Sequence, residues 1–217
     1  MMLPGLAIAE VVEIQAVDGL TIRGQRWGGS HDRRALVLHD AGDDLDSVRS
    51  LALAMVAAGF TTLAIDAIGH GASDGEPDAD RLGADLRAVI DVFGHEDFGI
   101  YLVGVGEAAV GCLEVAATVQ PSALALVSPR DLGRLAVAVI GGDNAPVLVA
   151  YGSWDETAET TARQLIAVRP GPFQLVQLPT RLQATALLQD ELGAQVVNHA
   201  VGYLRQIAPL RRDGGSR

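Results

Sequence analysis

Ile100-Tyr101-Leu102-Val103-Gly104-Val105-Gly106-Glu107-Ala108-Ala109-Val110-Gly111-Cys112 passes from bulky apolar residues through a glycine step into a run of small ones. It reads as a buried strand, a tight turn and a helix over residues 107–119. That helix is apolar almost all round, which implies burial within a layered fold. In an enzyme built this way the turn would present a nucleophile. Here that position is Gly106, which has no side chain.

Working outward, the same grammar repeats. Residues 35–38 form a short apolar strand that ends in His39-Asp40-Ala41-Gly42. Residues 47–58 have helical period, and Gly59 supplies a C-terminal stop. Residues 61–65 are a further buried strand ending at Asp66, followed by a Gly- and Asp-rich loop to Asp78. Leu82, Leu86, Val89, Ile90 and Phe93 mark one face of a helix over 80–93. Beyond the central stretch, strands are expected at 123–127, 147–150 and 173–178, and helices at 132–140, 156–168 and 184–207. At the start of the chain, Asp18-Gly19 between alternating runs signals a hairpin over 10–27.

Strands alternating with helices imply βαβ units. The expected fold class is α/β: a mainly parallel twisted sheet of about eight strands, an N-terminal antiparallel hairpin, and helices on both faces. One domain is expected over residues 1–217, with an ordered core over 8–208 and a flexible tail over 211–217. Ligands of such sheets sit outside the carboxyl ends of the strands. The loops to inspect are therefore 39–46, 66–78, 104–108, 128–131, 152–156 and 179–184.

Composition narrows the function classes. The chain of 217 residues is 49% hydrophobic and carries a net charge of -11, and all 16 of its basic residues are arginine. An acidic surface with 4% aromatics argues against nucleic acid as a partner. The single cysteine, Cys112, excludes an intrachain disulfide framework. No apolar run reaches the ~18–20 residues a bilayer span needs. The expectation is a soluble, acidic, cytoplasmic protein with no membrane association.

The loops resemble those of the α/β-hydrolase superfamily. Val37-Leu38-His39-Asp40-Ala41-Gly42, and then Ala58-Gly59-Phe60 running into Ile65-Asp66, look like that family's third strand, first helix and fourth strand. Gly69-His70-Gly71-Ala72-Ser73 matches its Gly-His-Gly-x-Ser stretch. Gly104-Val105-Gly106-Glu107-Ala108 sits at the nucleophile elbow, and Tyr151-Gly152-Ser153-Trp154-Asp155 at the turn that carries the acid. The short interval from Pro129 to Pro146 leaves no room for a cap domain. The chain resembles the compact, capless members, such as dienelactone-hydrolase-like and small esterase or thioesterase proteins.

The resemblance implies the chain order Ser, Asp, His and an elbow of the form G-x-S-x-G. Gly106 stands at the serine, Ala108 at the last glycine, and Gln183-Ala184 where His-Gly is common. His199 falls too deep in the last helix to be the base. The vestigial triad positions are thus Gly106, Asp155 and Gln183, and only Asp155 keeps its type. Losing nucleophile or base alone costs such an enzyme about a million-fold in turnover. The oxyanion donors would be the amides of Glu107 and a residue near Ala41. Asp40 and Glu107 bring carboxylates to that point, which opposes an oxyanion. A ligand-binding crevice is expected among His39, Asp40, Ala41, Gly106, Glu107, Asp155 and Gln183. With Asp43, Asp44, Asp66 and Asp74 also nearby, it should prefer neutral or cationic ligands to acids.

The resulting expectation is a non-catalytic pseudo-hydrolase that binds a small molecule or a protein partner, with no cofactor. The alternative is an ester or thioester hydrolase with a rearranged active site, using His70 with Ser73, Ser128 or Ser153. A metal site from His39, Asp66, His70 and Asp74 is conceivable, although the spacing fits no signature, and the expectation is no metal. Nucleotide binding is a further reading, because Gly104 to Ala109 fits G-x-G-x-x-A after a strand. No acid closes the next strand, and close helix–sheet packing explains the small residues equally well.

Overall fold

The computed structural model describes residues 8–28, 33–94, 99–130, 132–133, 135, 140–141 and 144–207. Eight strands form one sheet in the order β1-β2-β4-β3-β5-β6-β7-β8. They are β1 (Glu10–Gln15), β2 (Thr21–Trp27), β3 (Arg33–Leu38), β4 (Thr61–Ile65), β5 (Gly99–Val105), β6 (Ala123–Val127), β7 (Val147–Gly152) and β8 (Phe173–Leu178). β1 and β2 are the antiparallel hairpin, β2 joins β4 antiparallel, and every later pairing is parallel. Gly19 makes the hairpin turn at φ 86°, a region that glycine enters without steric cost.

Six α-helices are described: α1 (Arg49–Ala57), α2 (Leu82–Phe93), α3 (Glu107–Val119), α4 (Glu156–Val168), α5 (Ala184–Gln189) and α6 (Gly193–Gln206). The central strands are buried along their whole length because both faces are covered. Leu36, Leu38, Leu102 and Leu124 point into one core with Leu86, Leu113 and Leu165 of the helices. Ala35, Val37, Tyr101 and Val103 point into the other, with Leu51, Met55, Leu187 and Leu204.

The single helix expected over 184–207 is two helices. The chain leaves the helical region at Asp190, φ -81° and ψ 171°, and resumes at Gly193. A Cβ on Gly193 would run into the Leu188 carbonyl, so the second helix starts against the end of the first. The helix expected over 132–140 lies mostly outside the described residues. Residues 45–48 and 79–81 are 3-10 turns that lead into α1 and α2.

Candidate functional site

The elbow is formed. Gly106 sits between β5 and α3 at φ 59° and ψ -118°, a strained conformation that glycine tolerates and other residues enter only under constraint. Its amide donates to the Val127 carbonyl (2.8 Å), and its carbonyl accepts from the Arg130 amide (3.3 Å). Gly104 lets the helix approach closely, since a Cβ there would meet the Ala109 backbone at 2.7 Å. This packing accounts for the G-x-G-x-x-A pattern without a nucleotide.

Asp40 fills the space above the elbow. A Cβ built on Gly106 would overlap the Asp40 carboxylate. Asp40 Oδ1 accepts from two backbone amides, Glu107 N–H (2.7 Å) and Ala41 N–H (2.9 Å). Those are the two donors that the fold would aim at an oxyanion. The carboxylate thus stands where a tetrahedral intermediate would place its oxygen. Its negative charge complements the start of α3. The sequence leads one to expect Asp40 and Glu107 as charges opposing an oxyanion; the Asp40 carboxylate itself accepts from both amides.

Arg130 completes the arrangement. Its Nη2 pairs with Asp40 Oδ2 at 3.0 Å, and its Nη1 donates to Gln183 Oε1 at 3.3 Å. Thr161 Oγ1, on α4, donates to the Arg130 carbonyl at 3.0 Å. Asp40, Arg130 and Gln183 therefore form a bridge beside Gly106. Ala184, next to Gln183, has φ 47°, a left-handed conformation that glycine enters more readily than alanine.

Asp155 is buried at the N-cap of α4, where its Oδ1 accepts from the Ala158 amide at 3.1 Å. Its Oδ2 has no partner among the described residues, and neither does the buried hydroxyl of Ser128. Ser128 closes β6 at φ 43° and donates its amide to the Ala150 carbonyl.

The remaining sequence candidates act as loop braces. Ser73 Oγ donates to the Asp66 carbonyl (2.6 Å) and accepts from the Arg23 amide (2.8 Å), which leaves it no free hydrogen for attack. Asp66 accepts from the amides of Leu45 and Ala72, and Asp74 pairs with Arg23. Among the described residues, no group of three His, Cys, Asp or Glu side chains could hold a metal ion. Ser153 is half-buried, and its amide donates to the Leu178 carbonyl. Cys112 is buried in α3, and burial pushes its thiol pKa far up, so it is no nucleophile.

His39 is buried, with Nδ1 at 2.7 Å from the Asp40 carbonyl and Nε2 accepting from the Ala67 amide at 3.1 Å. A carbonyl only accepts, so Nδ1 carries the hydrogen and the ring is neutral. Burial lowers its pKa below the ordinary value. His70 packs 5.2 Å away and likewise directs Nδ1 to a carbonyl, that of Ile68. Its Nε2 has no partner among the described residues and is available as an acceptor.

A cavity of about 510 Å³ opens beside the elbow rather than over it. Its walls come from the loops after β3 and β4, the turn before α2 and the start of α3. His39, Asp40, Ala41 and Glu107 of the expected crevice line it, joined by His70, Asp43 and Asp85, but Gly106, Asp155 and Gln183 do not. The sequence placed all of these in one crevice; Arg130 and Asp40 stand between the two groups. Arg130 and the separate cavity were missed, and only the carboxylate that Asp40 brings to this point hinted at them.

This is the fold of the capless α/β-hydrolases. An esterase of Pyrococcus furiosus superposes with a TM-score of 0.77 at 15% identity, covering 93% of this chain and 91% of that one. An alpha-beta serine hydrolase homologue from Coxiella burnetii gives 0.76 at 19% identity, covering 90% and 97%. A serine hydrolase without a lid from Xanthomonas campestris gives 0.72 at 20% identity, covering 96% and 100%. At such identities the likeness is one of fold. No family model matches the chain, and no curated protein matches it in sequence. Among the described residues no helix is long and apolar enough to cross a membrane.

Proposed function

We propose that this chain is a hydrolase-fold protein without acyl-transfer chemistry, which binds a small molecule in the cavity beside its former active site. The carrying observation is the Asp40 carboxylate, held by the two oxyanion-hole amides above a glycine elbow. A substrate carbonyl cannot enter a hole that already holds a carboxylate, and no side chain at Gly106 could attack it. Arg130 and Gln183 replace the imidazole that would move the proton.

The second reading, a hydrolase with a rearranged site, is favoured by the names of the structural neighbours, which are esterases and serine hydrolases. Within this chain its best support is His70, at the cavity wall, together with the buried hydroxyl of Ser128: neither His70 Nε2 nor Ser128 Oγ has a partner among the described residues.

The deciding experiment is a broad screen of p-nitrophenyl esters and thioesters on the pure protein. The proposal expects no turnover above that of a Gly106→Ala control. Turnover that disappears in His70→Ala or Ser128→Ala would establish the second reading instead.

A further inference from the structure

We propose that the cavity takes an organic amine: a compact cation with an apolar body, its ammonium directed at Asp43 and His70. This inference rests on the ligand-binding reading above and names the ligand's chemistry.

The wall presents acceptors. Among the described residues, five carboxylates line the cavity, those of Asp40, Asp43, Asp78, Asp85 and Glu107, and no arginine or lysine does. Asp40 is neutralised by Arg130, and Asp85 by Arg81 at 2.7 Å. Asp43 and Asp78 have no ion pair among the described residues. Asp43 Oδ2 accepts from the Thr185 hydroxyl at 2.6 Å, which fixes its carboxylate and leaves Oδ1 open to a ligand. The neutral form of His70 offers Nε2 as a further lone pair, because its Nδ1 is already bonded to the Ile68 carbonyl.

Several donors of the same wall are consumed within the protein. The amides of Ala41 and Glu107 point at Asp40, that of Ala67 at His39, and those of Asp43 and His70 at backbone carbonyls. The anion-binding device at this end of the sheet, two converging amides with Arg130, is filled by Asp40. An incoming carboxylate would therefore meet acceptors and like charge, whereas an ammonium finds both partners and favourable field. Concave, low-dielectric walls of one sign concentrate that field. The rest of the lining, including Leu38, Ile68, Pro77, Leu82 and Ala108, is apolar and suits a hydrocarbon body.

The test uses three probes of similar bulk on the full chain at pH 7: benzylamine, benzyl alcohol and benzoate, measured by calorimetry or ligand-observed NMR. Benzylamine should bind about ten-fold or more tightly than benzoate. Its affinity should fall with added salt, and by about five-fold in Asp43→Asn, while Asp91→Asn on the outside of α2 leaves it unchanged. Thr185 can still donate to the asparagine oxygen, so Asp43→Asn should keep the fold, which a matching melting curve checks. Benzoate binding as well as benzylamine, equal binding of amine and alcohol, or no amine binding at millimolar concentration would each overturn the inference. Ester turnover would overturn the non-catalytic reading independently, and benzoate preference without turnover would sink only the ligand class.

Discussion

Asp40→Ala separates two accounts of the carboxylate at the elbow. Charge bookkeeping alone predicts stabilisation, because the chain carries -11 and one repelling charge would go. The hydrogen bonds predict the opposite. Two amides, at 2.7 and 2.9 Å, lose their acceptor, and Arg130 loses its carboxylate partner while keeping Gln183. Each orphaned amide costs about 1 kcal/mol where water can partly replace the carboxylate. The ion pair adds at most about 1 kcal/mol, since 39% of the Arg130 side chain is exposed and solvent screens it. The sum of about 2–3 kcal/mol corresponds to a fall of about 4–12 °C in Tm for a chain of this length. Asp40→Asn keeps one acceptor oxygen but turns an amide nitrogen toward Arg130, and should lie between. The assay is thermal and urea denaturation followed by circular dichroism at pH 7. A further arm adds formate to Asp40→Ala: formate should enter the vacated hole and raise Tm above a chloride control of equal ionic strength. Asp40→Ala as stable as the parent, or more stable, would refute the assignment of Asp40 to the oxyanion hole.

Gly106→Ser combined with Gln183→His should give no esterase and a chain destabilised by about 2 kcal/mol or more, since the new Cβ meets Asp40 at a strained dihedral. Adding Asp40→Gly should recover part of that loss, read as a higher urea midpoint than the double variant. Burial holds the His39 pKa beneath its ordinary 6.5, with His70 lowering it further and Asp66 and Asp43 opposing. The unfolded chain therefore binds more protons between the two values, and stability should rise with pH through that window. Tm should fall as pH drops from about 7 to about 5, with a shallower slope in His39→Gln. Cys112, buried and with its thiol pKa raised by desolvation, should stay unlabelled by a thiol reagent in the native protein and react on unfolding.

The fold was legible because it is written in local signals. The apolar runs of β3 to β7, Gly59 after α1 and Asp18-Gly19 in the hairpin each specify their own conformation. The break between α5 and α6 was not, because no proline interrupts residues 184–207 and the interruption depends on packing of Gly193 against the Leu188 carbonyl. The site was half legible. That Gly106 and Gln183 stand where the resemblance implies a serine and a histidine can be read from a register. What surrounds them could not, because Arg130 lies 90 positions from Asp40 and 53 from Gln183, and only the folded sheet brings the three together.

That convergence couples four residues around the elbow. Substitution of a nucleophile alone would leave an empty oxyanion hole, two unsatisfied amides and a void above the elbow. In this chain Gly106 provides room for Asp40, Asp40 satisfies the amides, Arg130 neutralises Asp40, and Gln183 gives the second Arg130 nitrogen an acceptor. Each contact supports the next, so the four residues act as a unit, and replacing one leaves another group without its partner. Asp155 caps α4 through Oδ1 while Oδ2 has no partner among the described residues, and Gln183 turns its Oε1 toward Arg130 instead. Under the non-catalytic reading proposed above, that leaves one buried carboxylate oxygen outside the network that Asp40 organises, and an unpaired buried acceptor is costly to keep.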